Sequence, residues 1–153
     1  MHIQRGSKSD IEAMKKLFYD TITAVNVRDY EKAQIEEWRS TGKNKKRWED
    51  LMEEQLVWVA KEEGNLLGFA SLKDGNYLDF MYVHKDHQKQ GIASQLYDAV
   101  EKEAHGFGSS DISSDVSITA KDFFLRRGFV VDAEQIQRRG GVEIKNFKMH
   151  KKL

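Results

Sequence analysis

The sequence predicts an α+β (α/β) sandwich, a mixed and mostly antiparallel central sheet with helices on both faces. Three observations predict it. Apolar residues recur at helical spacing through the first third of the chain and then shift to strand-like runs. The run Tyr77 to Val83 is apolar on both faces, the mark of a central strand covered on each side. After it, helical and strand patterns alternate to the C-terminus, separated by glycine-containing turns.

Taken in order, Ile3 to Arg5 reads as a short first strand. Ser9-Asp10-Ile11-Glu12 has the pattern of a helix start, Ser9 capping and Glu12 reaching back. Ile11, Met14, Leu17, Phe18 and Ile22 follow at helical spacing, with Met14, Leu17 and Phe18 assigned to the core. A second helix is expected over Tyr30 to Arg39 and a third over Arg47 to Glu54. Leu56 to Ala60 and Leu66 to Leu72 form a hairpin about Gly64-Asn65, and Asp74-Gly75-Asn76 turns into the Tyr77–Val83 strand. Gly91 to His105 is a helix with Ile92, Leu96, Val100 and Ala104 on one face. A strand over Ser110 to Val116 and a helix over Thr119 to Arg127, ended by Gly128, come next. Phe129 to Gln135 and Val142 to Met149 close the fold around the turn Arg138-Arg139-Gly140-Gly141.

Composition narrows the function. The chain has 153 residues, the size of one ordinary domain, and neither a repeat nor a linker divides residues 1–153. Its 25 basic residues balance 25 acidic ones, so no net field favours nucleic acid or an anionic membrane. Two basic stretches, Gly42 to Arg47 and Lys148 to Lys152, read as solvated faces. No apolar run approaches the ~20 residues of a membrane span, and Met1 to Arg5 lacks the apolar core of a secretion signal. Cysteine is absent, which excludes disulfides, thiolate metal sites and a cysteine nucleophile, and fits a cytoplasmic location. His2, His84, His87, His105 and His150 show no ligand spacing, so no metal is expected.

The stretch with chemical content is Tyr77 to Ala93. A strand ends at Val83, a polar loop follows, and a helix begins at a glycine. Such a helix start leaves several N–H groups aimed at one spot at the positive end of the dipole, a binding site for phosphate. Gly91 lets backbone approach the anion, Ala93 keeps the next turn small, Lys89 adds charge at the rim and Ser94 offers a hydroxyl. The spacing is neither the Walker pattern nor the three-glycine dinucleotide fingerprint. On these residues alone, an ordinary strand-to-helix connection explains the turn as well.

The segment Gln88-Lys89-Gln90-Gly91-Ile92-Ala93, after an apolar strand ending in Val83-His84, resembles the pyrophosphate-binding motif of the GNAT N-acetyltransferases. The resemblance covers essentially the whole chain. Trp58-Val59-Ala60 with Gly68-Phe69 is similar to the family's second and third strands, and Ala120 to Phe129 to its last helix and following strand. Ser117 to Lys121 and Asn146-Phe147-Lys148-Met149 resemble a YafP-like bacterial branch.

The resemblance implies the acyl-CoA N-acyltransferase fold, acetyl-CoA as co-substrate and an amine as acceptor. It implies that Tyr77–Val83 and Asp111–Val116 splay apart and that the pantetheine arm lies between them like an added strand. Met81, Tyr82 and Val83 would flank that arm, with the Met81 N–H polarising the thioester carbonyl. Gln88, Lys89, Gln90, Gly91, Ile92, Ala93 and Ser94 would hold the diphosphate, with Ser117 and Phe124 beside the arm. It leaves a homodimer open.

An amine acceptor must lose a proton before it attacks. Asp79 is the candidate base: it is a carboxylate in an otherwise apolar strand, and alternation puts it on one face with Tyr77 and Met81. Desolvation there would favour its protonated form. Equally, Asp79 could pair with an arginine or a backbone N–H for structure alone. His84 is a weaker candidate base, and Glu62 and Glu63 read as solvated. Many relatives carry a tyrosine where this chain has Phe124, and an asparagine where it has Ser117. Either Ser117, Tyr82 or Tyr97 protonates the departing thiolate, or it leaves unassisted. The acceptor pocket is expected among Tyr19, Arg28, Tyr30, Trp38 and Trp48, residue types that more often fill a core. A non-catalytic acetyl-CoA sensor of the same fold is the alternative. Nucleic-acid binding through Lys43, Lys45, Lys46 and Arg47 is disfavoured by the neutral charge.

Overall fold

The computed structural model describes residues 1–153. Seven strands form one sheet, flanked by five α-helices. In chain order these are β1 (His2–Arg5), α1 (Ile11–Ala24), α2 (Lys32–Arg39), α3 (Lys45–Glu54), β2 (Gln55–Glu62), β3 (Asn65–Lys73) and β4 (Tyr77–Val83). Then come α4 (Ile92–Gly106), β5 (Asp111–Ser117), α5 (Lys121–Arg126), β6 (Val130–Arg139) and β7 (Val142–Lys152). The sheet order is β1-β2-β3-β4-β5-β7-β6, antiparallel everywhere except between β4 and β5.

Each face of the sheet has its own core. On one, Leu67, Leu72 and Leu78 pack against Ile92, Leu96, Val100 and Ala104 of α4 and Phe124 of α5. On the other, Val57, Phe69 and Phe80 pack against Met14, Phe18 and Ile22 of α1 and Trp48 of α3. Helices on both faces of a mixed sheet are what the periodicity predicted, with Tyr77–Val83 as the central strand.

Several ends differ from the sequence reading, each for a local reason. The capping box at the first helical turn is made by Ser7 and Asp10, not by Ser9 and Glu12. α2 starts at Lys32 because Tyr30 turns inward, donating to the Lys145 carbonyl at 2.7 Å and accepting from the Ile118 N–H at 2.9 Å. α3 starts earlier than expected because the Asn44 side chain caps it, accepting from the Arg47 N–H at 3.1 Å. The closing strands run longer, to Arg139 and Lys152, with only Gly140 and Gly141 in the turn. The basic stretch at the C-terminus is thus the end of a strand paired to β5. No helix is long and apolar enough to cross a membrane.

Candidate active site

β4 and β5 pair only at Tyr77↔Ser113, reinforced by the Ser114 hydroxyl donating to the Leu78 carbonyl at 2.7 Å. Beyond that point the two strands diverge, and a cleft of about 670 Å³ opens between them. Met81 and Val83 on one side and Val116 and Ser117 on the other form its walls. The main chain of β4 addresses this gap at alternate residues. His84 donates to Leu67 of β3, whereas the Val83 carbonyl points away from β3, so by antiparallel alternation Met81 also turns its backbone groups to the gap. The splay expected from the resemblance is therefore present, with one change. The Val83 carbonyl already accepts from Thr21 Oγ1 at 3.0 Å and Gln88 Nε2 at 2.7 Å, which leaves only the Val83 N–H free.

The far end of the cleft is a nest of amides. Gly91 is the N-cap of α4 in the left-handed region (φ 81°), and Lys89 before it is also left-handed (φ 58°). The first bond of the helix is Gln95 N–H to the Gly91 carbonyl. The N–H groups of Gln88 through Ser94 find no acceptor in the protein. With the helix dipole behind them they suit a diphosphate. A side-chain carbon placed on Gly91 would meet nothing within 4 Å, so the space in front of the turn is open. Lys89 and Arg126 of α5, which forms no ion pair, both border the cleft.

Not every expected residue reaches the wall. Gln88, Lys89, Gly91, Ile92, Ala93, Ser94, Ser117 and Phe124 do. Gln90 does not: it is exposed, and its carboxamide oxygen lies 3.3 Å from His87 Nδ1, so His87 holds the wall position instead. Gln88 acts through its side chain, clamping the loop onto the end of β4. Tyr97 is removed from consideration as a proton donor: it is fully buried, its hydroxyl donates to Glu101 at 3.0 Å, and it does not border the cleft. His84 likewise does not border the cleft, its Nδ1 accepting from the Asp86 N–H.

Asp79 needs a correction of face. Ala70 pairs with Met81 but Leu72 pairs with Leu78, so β4 carries one more residue than β3 across this step, a β-bulge. The buried Ser71 hydroxyl stabilises it by accepting the Phe80 N–H at 3.1 Å. The bulge resets the alternation: Leu78 belongs to the α4 core but Phe80 to the α1–α3 core. Asp79 consequently turns to α3 rather than sharing a face with Met81. Arg47 holds its carboxylate with two contacts of 2.9 Å while stacking over Phe80, and Gln55 Nε2 donates to it at 2.6 Å. The carboxylate is thus paired rather than isolated in an apolar face, and Arg47 leaves the solvated basic stretch for the site.

A second, polar cavity of about 480 Å³ lies on the α2–α3 side of the sheet. It shares Trp38, Asp79, Tyr82, Asp115 and Ser117 with the cleft, so the two meet there. Of the aromatic residues suggested for an acceptor pocket, Trp38 is in it, Trp48 and Tyr30 are core, and Tyr19 is exposed. Burial pushes the Tyr82 hydroxyl above its ordinary range against the opposing pull of Trp38 and Arg139. It therefore stays protonated near neutral pH. The Ser117 oxygen accepts the Ala120 N–H at 3.1 Å, and its own proton is free. Asp115, missed by the sequence reading, accepts from Tyr77 at 2.8 Å and Gln135 at 2.7 Å and has no cation partner. Its signal was a carboxylate inside the expected strand Ser110 to Val116, between Ile112 and Val116. No group of three or more His, Asp or Glu side chains is arranged to hold a metal ion.

A splayed parallel strand pair ending at an amide nest, with a polar chamber opening onto the gap, defines an acyltransferase that takes its acyl group from a CoA thioester. The sequence model of the acetyltransferase (GNAT) domain matches residues 26–153. The chain belongs to the GNAT family and is an acetyl-CoA-dependent acyltransferase. It is 28% identical over 152 residues to an uncharacterized N-acetyltransferase, YafP, of Escherichia coli K12, covering 99% of this chain and 96% of that protein. A crystal structure of a GCN5-related N-acetyltransferase from Rhodopseudomonas palustris superposes with a TM-score of 0.95 at 29% identity, over 99% of this chain and 95% of that one. The PaiA N-acetyltransferase of Thermoplasma acidophilum, solved with coenzyme A, shares the fold over the full length of both chains, with a TM-score of 0.80 at 20% identity.

Proposed function

We propose that this chain acetylates a primary amine by direct attack within a ternary complex, with Asp79 as general base. The observation that carries this reading is the junction. The cleft and the polar cavity meet at Asp79, Tyr82, Asp115 and Ser117, where a thioester held in the gap and an amine held in the chamber would come together. The amides of Gln88 to Ser94 bind the diphosphate, as their lack of protein acceptors favours. The Met81 N–H supports the thioester carbonyl as charge develops on it, a contribution of roughly 3 kcal/mol where one such donor has been removed in other enzymes.

Asp79 receives the ammonium as a hydrogen-bond partner and takes its proton, directly or through water. Arg47 and Gln55 fix the carboxylate for that encounter. Tyr82 and Ser117 are the hydroxyls that can return a proton to the departing thiolate, and Phe124 cannot. Asp79→Asn is expected to lower kcat by ~10²-fold with acetyl-CoA affinity nearly unchanged. Stopped-time thiol release and calorimetric titration measure the two quantities; an unaltered kcat removes Asp79 from the mechanism. One observation favours a second reading: Asp115 stands at the same junction with no guanidinium on its carboxylate, whereas Arg47 occupies both oxygens of Asp79. A larger loss of kcat in Asp115→Asn than in Asp79→Asn would assign the base to Asp115.

A further inference from the structure

We propose that the acceptor is an amino acid, its amine at the junction and its carboxylate held by Arg139. The inference rests on the transferase reading above and concerns the chamber on the α2–α3 side. That chamber is of a size for one small molecule. Its walls carry three carboxylates, Glu37, Asp79 and Asp115, and two guanidiniums, Arg47 and Arg139. Arg47 and Asp79 neutralise each other. Glu37 and Arg139 form no ion pair, although both face the same space. The Arg139 side chain makes a single hydrogen bond in the protein, to Thr41 Oγ1 at 3.5 Å, the outer limit of such a bond.

Asn146, on the strand position opposite Ser117, also belongs to the chamber wall, and its Oδ1 is buried without a hydrogen-bond partner. A buried carbonyl oxygen left this way is costly unless a ligand supplies the N–H. The chamber therefore offers one free cation together with two acceptors that lack donors, the Glu37 carboxylate and Asn146 Oδ1. A simple amine satisfies the acceptors and leaves Arg139 with nothing. A diamine brings a second cation towards it. A molecule with an ammonium and a carboxylate satisfies both. The Arg139 charge also acts on the Tyr82 hydroxyl, which lies at the junction, so the anion anchor is close to the reacting end. Guanidinium geometry suits a carboxylate bound through two parallel hydrogen bonds.

The test uses the full chain in a thiol-release assay. Each proteinogenic amino acid is compared with its own α-carboxamide and with 1,4-diaminobutane. At least one amino acid should be acetylated, and its carboxamide should show kcat/KM lower by about 10- to 100-fold, the range for a lost charge-assisted hydrogen bond. Arg139→Gln, a change on an exposed hairpin, should raise KM for the amino acid by a similar factor, leave kcat and acetyl-CoA affinity close to the original, and erase the preference over the carboxamide. Carboxamides or the diamine reacting as well as amino acids, or a preference that survives in Arg139→Gln, would overturn the inference and leave the transferase reading standing. Acetyl-CoA binding with no amine of any kind acetylated would overturn both.

Discussion

At the scale of single residues, the proposed site rests on a few positions with particular side chains or backbone angles. Gly91 is the clearest. Its φ of 81° is one that a branched residue adopts only at a cost of about 1–2 kcal/mol, and the open space before it is where the diphosphate is proposed to sit. Gly91→Val is therefore expected to raise the Kd for acetyl-CoA by roughly tenfold or more, since both the nest and the space are lost. Titration calorimetry reads this directly, and an unchanged Kd would refute the proposed turn. Arg47 teaches a different lesson. In the sequence it stands in a run of lysines, and two of these, Lys45 and Lys46, do pair with Glu49 and Asp50 one turn along α3 at the surface. Arg47 instead faces inward onto Asp79 and Phe80.

At the scale of elements, the bulge in β4 and the divergence of β4 from β5 create the site. The bulge places Asp79 and Phe80 together opposite Ser71, and so turns the carboxylate away from the Met81 face towards α3. Ser71 is fully buried, and its hydroxyl takes an N–H that the irregular ladder leaves over. Ser71→Ala should cost about 1–3 kcal/mol of stability, read as a lowered urea midpoint with an unchanged slope. A midpoint equal to that of the parent would mean that the hydroxyl does not hold the bulge. The divergence has an equally local origin. After Tyr77↔Ser113 the β5-facing groups of β4 have no strand partner, while the other edge of β5 keeps a full seven-residue ladder with β7.

At the scale of the whole molecule, contacts between distant parts of the sequence hold the two layers and both ends of the chain. Lys61 of β2 reaches Asp10 at 2.7 Å, and Lys151 of β7 reaches Glu101 of α4 at 2.6 Å. Burial works to raise both carboxyl groups, but their lysine partners, with the Ser7 N–H for Asp10 and the Tyr97 hydroxyl for Glu101, outweigh it, and both are held below their ordinary values of 3.8 and 4.5. A carboxyl lowered on folding contributes stability that is present above its unfolded value and lost as pH falls through its folded one. The Asp10→Asn, Glu101→Gln double variant should therefore be clearly less stable than the parent at pH 7. That difference should shrink as the pH falls below about 4. Thermal melts across this range check it, and a gap that stays constant would show that the two pairs are not the source.

By itself the sequence determined the order of elements, the two apolar faces of the sheet, the family and the glycine turn that opens α4. Each follows from local periodicity or from a short contiguous motif: Ile92, Leu96, Val100 and Ala104 lie on the α4 face as spaced, and Gly91 starts the helix as its neighbours required. What only the tertiary structure decided is which residues face one another across the junction. The alternation that would have put Asp79 beside Met81 is broken by one extra residue, which has no signature of its own in the chain. The partnership of Asp79 with Arg47, and the placing of Glu37, Arg139 and Asn146 around one chamber, bring together α2, α3, β4, β6 and β7. Such meetings arise from the packing of elements far apart in the chain, and no local pattern of residues records them.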